Sequence, residues 1–487
     1  MQEDLKKITL KKNSSLKDAL KLINKNGLGL CFVINEKKRI IGSLSDGDIR
    51  KSLIKGLNIN SNVVKIMNKN ALVLNYSLPS EKIIKYLSDK IKVIPLINSK
   101  KQIVDYVSFH KNNRINLVKP DLSGNELKYI SKSLKTGWIS SVGEFIPRFE
   151  KHFSQFTKIK NPLAVSNGTT ALQLAIEALG IGKNDEVILP TLTFAAPVNA
   201  AIHSGAIPVF VDVKEDSLCI DENRIVNAIN KKTKAIIVVH LYGHPANMDS
   251  IISICKKYKL KLIEDCAEAL GSKYKKIHVG NFGDASCFSF FGNKTITTGE
   301  GGIVTFKKKN FLKKATILRD HGMSKKIKYW HDYVGYNFRM TNLQAAIGTA
   351  QFERANLFIK NKIEMARIYK SYLSKIKNIQ LPRNYGPVKN SYWLYTIRLT
   401  GHLAKYRDKL LKFLLLNGVE SRKVFIPMHL MPIYNVFLKN VKNNYNVSEE
   451  ISKSSLSLPS YFGLSEPNIK NICFLIKNFF SKINKKK

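Results

Sequence analysis

The chain has 487 residues, 44% of them hydrophobic, and 80 Lys and Arg against 36 Asp and Glu give a formal net charge of +44. No apolar run approaches the ~18–20 residues that span a bilayer, and the start, Met1–Lys7, lacks the apolar core of a signal peptide, so a cytoplasmic protein is expected. The charge alone would suit nucleic acid, but the basic residues are spread along the whole chain, mostly as Lys among many Asn and Ile. That distribution points first to a solvated basic surface and second to the attraction of an anionic substrate. Six cysteines (Cys31, Cys219, Cys255, Cys266, Cys287 and Cys473) form no C-x-x-C pair and no Cys/His cluster with zinc spacing, which predicts reduced, buried thiols and no metal site.

Residues 1–112 read as a first unit made of two similar passes. The first offers a helix over Leu16–Asn24, a strand over Gly29–Asn35, a turn at Glu36–Lys38 and a strand over Ile40–Leu44. The second offers a helix over Pro79–Leu87 and strands over Val93–Ile97 and Ile103–Val107. A unit repeated at about 60 residues is an internal repeat. On the segments Gly42–Arg50 and Val64–Met67 this unit resembles a CBS-domain pair. The resemblance implies an adenine nucleotide with Ser45 at its phosphate and Asp48 at its ribose hydroxyls. The matching segment of the second pass, Val107–Lys111, lacks the pattern, and a structural or dimerising pair is the alternative.

The polar stretch Lys111–Arg114 reads as a linker. From residue 115 strand and helix patterns alternate. The helix over Leu172–Leu179 places Leu172, Ala175, Ile176 and Leu179 on one face. Strands follow over Glu186–Leu189, Pro208–Val211 and Ala235–Val239, then a helix over Ser250–Tyr258 and a strand over Lys261–Glu264. Continuous apolar strands between helices predict a mostly parallel sheet covered on both faces, over residues 115–350. Past about residue 350 a long helix leads to a smaller α+β domain, residues 351–487.

Three segments carry chemistry. Ser166–Thr170 follows an apolar strand and opens a helix, where glycine permits close backbone approach and free N–H groups favour an anion; a simple helix cap is the other reading. Asp265 ends a buried strand, where doubly wound sheets bind ligands, or it caps the next turn. Lys294 lies between the apolar strand that ends at Ser289 and the run Gly299–Gly302, a placement over the sheet rather than on plain surface. Together they supply parts that pyridoxal phosphate (PLP) chemistry needs: an amine to bond the cofactor, an acid for the pyridine nitrogen and a phosphate cradle.

On these and further motifs, residues 117–487 resemble the DegT/DnrJ/StrS sugar aminotransferases, of PLP-dependent transferase fold type I. The motifs are Thr136–Gly143, Ser166–Thr169, Pro190–Phe194, His240–Pro245, Ile263–Gly271, Ser289–Gly302, Leu318–Met323, Tyr329–His331 and Gly335–Ala346. The resemblance implies that Lys294 bonds the cofactor and moves the proton, and that Asp265 pairs with the pyridine nitrogen. It further implies Gly168, Thr169 and Ser289 at the phosphate, Phe194 on the ring, Glu268 near the ring hydroxyl, and Asn337 reaching the phosphate of the neighbouring subunit in a homodimer. Sister sugar dehydratases have His where this chain has Lys294, so transamination is implied.

Within the family, Asn293–Glu300 and Tyr329–His331 resemble the members that form GDP-perosamine. That resemblance implies L-glutamate and GDP-4-keto-6-deoxymannose as substrates and GDP-perosamine, for a surface polysaccharide, as product. Trp138, Ser140, Tyr329, Trp330 and His331 are candidates for the sugar-nucleotide site or for packing at the dimer seam. The Thr136–Trp138 segment is shared with a legionaminic-pathway aminotransferase, so another nucleotide sugar, UDP- or dTDP-linked, stays open. A catalytically silent nucleotide sensor and a nucleic-acid-binding protein are readings from other classes.

Overall fold

Two small sheets with the same strand order build the N-terminal part of the computed structural model, which describes residues 3–78, 83, 86–88, 91–108, 115–384, 387–438 and 444–484. In the first, β1 (Thr9–Lys11) runs parallel to β2 (Leu30–Ile34), which pairs antiparallel with β3 (Ile40–Ser45). In the second, β4 (Leu74–Asn75) runs parallel to β5 (Val93–Ile97), which pairs antiparallel with β6 (Ile103–Ser108).

The turns repeat as well. Asn35 Oδ1 accepts the Arg39 N–H at 3.0 Å and Asn98 Oδ1 accepts the Gln102 N–H at 2.9 Å, while Lys38 and Lys101 both adopt left-handed backbone at φ 59° and 61°. The internal repeat is therefore present. The short strands β1 and β4, too brief to show alternation, add a parallel partner that the sequence does not reveal. The helix Leu16–Asn26 starts in a capping box between Ser15 and Asp18 and stops at Gly27, whose φ of 64° suits glycine. The expected helix over Pro79–Leu87 falls mostly outside the described residues, and the expected linker at Lys111–Arg114 wholly so.

The chain folds as two compact units, Met1–Asn116 with Asp408–Ser421, and Leu117–Arg407 with Arg422–Lys487. The second holds a seven-stranded sheet. Its strands are β7 (Pro162–Val165), β8 (Glu186–Pro190), β9 (Ile207–Val211), β10 (Thr233–Val239) and β11 (Lys261–Asp265). After a hairpin, β12 (Lys273–Tyr274) and β13 (Ile277–His278), come β14 (Ala285–Ser289) and β15 (Gly302–Phe306). The order is β7-β15-β14-β11-β10-β8-β9, and β15 runs antiparallel to both its neighbours while the other pairs are parallel.

Apolar residues of one strand feed opposite faces, as the two-residue pleat requires. Ala235 and Ile237 of β10 pack in one core with Val187, Leu189 and the helix Gly168–Ala178, and Ile236 and Val238 pack in another with Ile188 and Ile251. This explains the unbroken apolar strands. Leu172, Ala175, Ile176 and Leu179 are buried, as their spacing predicts.

The helices Asn342–Glu353 and Ala355–Leu373 lead on to strands β16 (Ile379–Gln380), β17 (Val388–Lys389), β18 (Tyr395–Leu399), β19 (Arg422–Lys423) and β20 (Ser455–Leu458). Four of these form an antiparallel sheet, β16-β18-β20-β19. The six cysteines are buried and unpaired. Among the described residues no helix is long and apolar enough to cross a membrane.

Candidate active site

The carboxyl ends of the parallel strands converge on one cavity of about 730 Å³. Asn167 and Gly168 follow β7, Thr193 and Phe194 follow β8, Val239 ends β10, Asp265 ends β11 and Ser289 ends β14, and all of them line it. This is where an open α/β sheet leaves room for a ligand, because the helices that cover its faces begin there.

One wall is built for an anion. Asn167 caps the helix Gly168–Ala178: its side chain accepts the Thr170 N–H at 2.9 Å. The helix offers no internal acceptor for the N–H groups of Gly168 and Thr169, which stand at its positive end. A Cβ at Gly168 would lie 2.8 Å from the Cβ of Ser289, so glycine is what allows β14 and this helix start to close on each other. The cap and the cradle are thus the same feature.

Asp265, Glu268 and Lys294 are among the titratable groups that line the same cavity. Asp265 is buried and accepts the Ala267 N–H through Oδ1 at 3.0 Å; burial pushes its carboxyl up, against the pull of the N–H and of Lys294. Glu268 is buried and accepts the Tyr242 N–H at 2.8 Å; burial lifts it to about 7. Lys294 projects from the loop between β14 and β15 and is pulled below the ordinary lysine range by burial, against the attraction of Glu268 and Asp265. Its Nζ lies 3.8 Å from Glu268 Oε1, with its side chain 14% exposed. An amine held below its ordinary range gives up its proton more readily, and the free amine is a nucleophile and a base.

An aromatic wall completes the cavity. Trp393 stacks on Tyr242 at 6.0 Å, Tyr242 on Phe425 at 5.6 Å, and Phe425 meets Phe194 at 5.8 Å. Phe194 is 59% exposed and lines the cavity. Trp393, Phe425 and Arg422 also line the cavity, and sequence reading missed them. They come from a part of the chain with no glycine or phosphate signal to mark them.

The cavity therefore gathers Gly168, Thr169, Phe194, Asp265, Glu268, Ser289 and Lys294. The other expected residues do not line it. Asn337 is exposed, its Oδ1 accepting from Arg339 Nε at 3.2 Å. Trp138 and Ser140 lie by the start of the helix Asn342–Glu353: Asn342 donates from its side chain to the Trp138 carbonyl at 2.7 Å and from its N–H to the Ser140 carbonyl at 2.5 Å. Tyr329, Trp330 and His331 are exposed, and His331 Nδ1 hydrogen-bonds the His321 carbonyl at 2.9 Å. In the other unit, Ser45 and Asp48 form the capping box of the helix Asp46–Ile54, with Ser45 Oγ donating to Asp48 Oδ2 at 2.6 Å and accepting the Asp48 N–H at 3.1 Å.

Behind Asp265, His240, Glu264 and Cys266 cluster in the core. Glu264 accepts the N–H groups of Gly280, Phe282 and Gly283 at 2.7–2.8 Å and His240 Nε2 lies 3.1 Å away, while His240 Nδ1 accepts the Ala246 N–H at 3.0 Å. With both imidazole nitrogens and both carboxylate oxygens engaged, the cluster reads as a clamp that fixes the strand end carrying Asp265.

An anion cradle, a buried acid, a buried amine and an aromatic wall around one cavity fit the phosphate, ring nitrogen, aldehyde and ring face of PLP. Comparison with known proteins agrees. The DegT/DnrJ/EryC1/StrS aminotransferase family matches residues 120–477, and the CBS domain matches residues 1–55. The chain is 44% identical to GDP-perosamine synthase of Vibrio cholerae, over 76% of this chain and 100% of that protein. It is 43% identical to the Escherichia coli O157:H7 enzyme of the same name, over 75% and 99%. Among solved structures, the PLP form of a putative sugar aminotransferase from Streptococcus pneumoniae superposes with a TM-score of 0.72 at 27% identity, over 76% of this chain and 99% of that one. Helicobacter pylori PseC, an aminotransferase involved in the biosynthesis of pseudoaminic acid, gives a TM-score of 0.71 at 28% identity, over 76% and 100%. The chain belongs to the DegT/DnrJ/EryC1/StrS aminotransferase family, is PLP-dependent, and carries a CBS domain at its N-terminus.

Proposed function

We propose that this enzyme transfers the amino group of L-glutamate to C4 of GDP-4-keto-6-deoxymannose, giving GDP-perosamine and 2-oxoglutarate, for a surface polysaccharide. The observation that carries the reading is the Lys294 amine held beside Glu268 in the cavity that the helix start at Gly168 also lines. The choice of sugar rests on the identity to GDP-perosamine synthases. PLP, when bound, supplies a carbonyl that condenses with amines and a ring that withdraws electrons. Gly168, Thr169 and Ser289 would hold its phosphate, Asp265 would keep its pyridine nitrogen protonated, and Phe194 would cover its ring.

The residues themselves then have distinct tasks. Lys294, freed when the donor amine takes its place, removes the proton from the glutamate α-carbon. In the second half-reaction it delivers a proton to the sugar C4. Burial favours the first of these steps, because it lowers the amine below its ordinary range. Glu268, lifted to about 7, sits 3.8 Å from that amine, where its charge acts on it. Incubating the purified protein with glutamate and a panel of GDP-, UDP- and dTDP-linked 4-keto-sugars, read by mass spectrometry, tests the substrate. GDP-perosamine should form fastest, and faster turnover of a UDP- or dTDP-linked sugar overturns the assignment.

We also infer a homodimer with shared sites. Asn337 is exposed and does not line its own chain's cavity, and Trp138, Ile139, Val142, Tyr329, Trp330 and Val334 expose apolar surface. Such residues suit a partner surface better than solvent. Mixing Lys294→Ala with Asn337→Ala should restore activity to two inactive preparations, since one site of a mixed dimer receives both intact residues. No recovery, with subunit exchange verified by mass spectrometry, would show that each site is complete in one chain.

For the N-terminal unit the reading is a structural or dimerising module, because Ser45 and Asp48 bond each other in a helix cap. Calorimetric titration with AMP, ADP and ATP should give no saturable heat; saturable binding would restore the nucleotide reading.

A further inference from the structure

We propose that Lys362 is a positioning residue for Lys294, acting through Trp393. The proposal rests on Lys294 being the lysine that bonds the cofactor. Lys362 lies on the helix Ala355–Leu373 and is 4% exposed. Its Nζ donates to the Trp393 carbonyl at 2.9 Å and to the Ser460 carbonyl at 2.8 Å. A lysine is seldom buried without a reason, and this one meets backbone carbonyls at both of these contacts.

Trp393 is gripped again at its other end. Its indole N–H donates to the carbonyl of Asn293 at 2.9 Å, and Asn293 is the residue immediately before Lys294. The face of the same indole lies 4.2 Å from Lys294 Nζ. Trp393 therefore fixes both the backbone that leads into Lys294 and the surface on which its amine rests. Tyr242, stacked on the indole at 6.0 Å, donates its own N–H to Glu268, the carboxylate 3.8 Å from the amine. Lys362 holds the backbone end of this assembly from a helix that does not itself line the cavity.

The protonation state suits a positioning role. Burial pulls Lys362 down to about 7. A neutral amine keeps two N–H bonds, which is the number that the two carbonyls take. Above about pH 8 a Lys362→Met substitution thus removes hydrogen bonds and little charge. A change seen at Lys294 in that range is then not the effect of a lost field, and the Trp393 variant reads whether the indole carries it, since Lys362 and Lys294 also line a common cavity with Asn293.

The test uses the full-length apoprotein. Brief acetic anhydride pulses at a series of pH values, followed by peptide mass spectrometry, give the titration midpoint of the Lys294 amine. The ring face favours the charged amine, so a displaced indole should move the midpoint down by about 0.5–1 unit in Lys362→Met. Trp393→Phe keeps a ring but loses the N–H to Asn293, and it should shift the midpoint in the same direction by less. Should Lys362→Met not fold, Lys362→Gln decides, since its amide has two N–H donors but stops short of the Trp393 carbonyl. In the holoenzyme, kcat should fall about tenfold with KM for both substrates little changed, the pattern of a group misplaced in the transition state.

An unchanged Lys294 midpoint in a folded Lys362 variant overturns the proposal, and so does an unchanged midpoint in Trp393→Phe. Borohydride reduction of the parent holoenzyme, with peptide mapping, separates the two layers. Cofactor trapped on another lysine removes the role given to Lys294, whereas the amine titration still reports whether Lys362 and Trp393 act on it.

Discussion

Lys294→Ala should abolish turnover and remove the absorbance of the lysine-bound cofactor, while leaving a folded protein. The expected loss exceeds the roughly 10²–10⁴-fold of a single acid–base group, because in the proposed role Lys294 would be both the covalent anchor and the proton carrier. The fold should tolerate it. The Lys294 amine is pulled down by burial, so the folded state binds its proton less readily than the unfolded chain does. Such a group weakens folding as pH falls below its unfolded value, and alanine removes that penalty. Glu268 should respond in the opposite sense. Its carboxyl, already at about 7, loses the nearby amine that lowers it and should titrate higher still. Absorbance spectra, single-turnover assays with glutamate and a thermal unfolding curve check the set. An unchanged spectrum in the purified variant would place the cofactor on a different lysine.

Much of this site is legible in the sequence because its parts obey local rules. Ser166–Thr170 shows as a strand-to-helix junction with glycine at the point of closest approach, and the 2.8 Å clearance to Ser289 explains why that glycine has no substitute. Asp265 shows as a carboxylate at the end of an apolar strand, and the parallel pairing of β11 with β10 and β14 places that end at the cavity. Lys294 shows through its flanks. What stays hidden depends on contacts distant in sequence. Trp393 and Phe425 join the cavity by stacking on Tyr242, more than a hundred positions away, and no periodicity marks them. Lys362 looks like any other lysine of an amphipathic helix in a chain rich in lysine, until its Nζ is found between two carbonyls. The N-terminal repeat shows in its longer elements and hides in the two- and three-residue strands β4 and β1, which exist because a neighbouring strand offers a ladder and not because of their own composition.

Asp265→Asn should lower kcat/KM by about 100-fold or more without loosening the fold, and the reason lies in which hydrogen bond it keeps. Asp265 Oδ1 accepts the Ala267 N–H at 3.0 Å, and an asparagine carbonyl oxygen can do the same. The turn after β11 should therefore stay in place, and the substitution isolates the charge. Burial has raised the Asp265 carboxyl above its usual range. An acid with a raised folded pKa lowers stability as pH rises through the window between its unfolded and folded values, so the ionised carboxylate is a cost to the apoprotein at neutral pH. Asparagine bears no such charge, and the apoprotein variant should unfold at the same temperature as the parent or higher at pH 7. Below the unfolded carboxyl value of the parent the difference should vanish. The holoenzyme should behave differently: in the proposed role the carboxylate would hold the protonated ring nitrogen of PLP, and the variant would lack that charge-assisted bond. Cofactor binding should weaken, and the absorbance of lysine-bound cofactor should persist at saturating PLP, since Lys294 is intact. Paired melting curves of apoprotein and holoenzyme, with initial rates at saturating glutamate, read both halves. Equal rates in variant and parent would leave Asp265 as a cap on the turn that follows β11, whereas a destabilised apoprotein would mean that its charge supports the fold through Lys294.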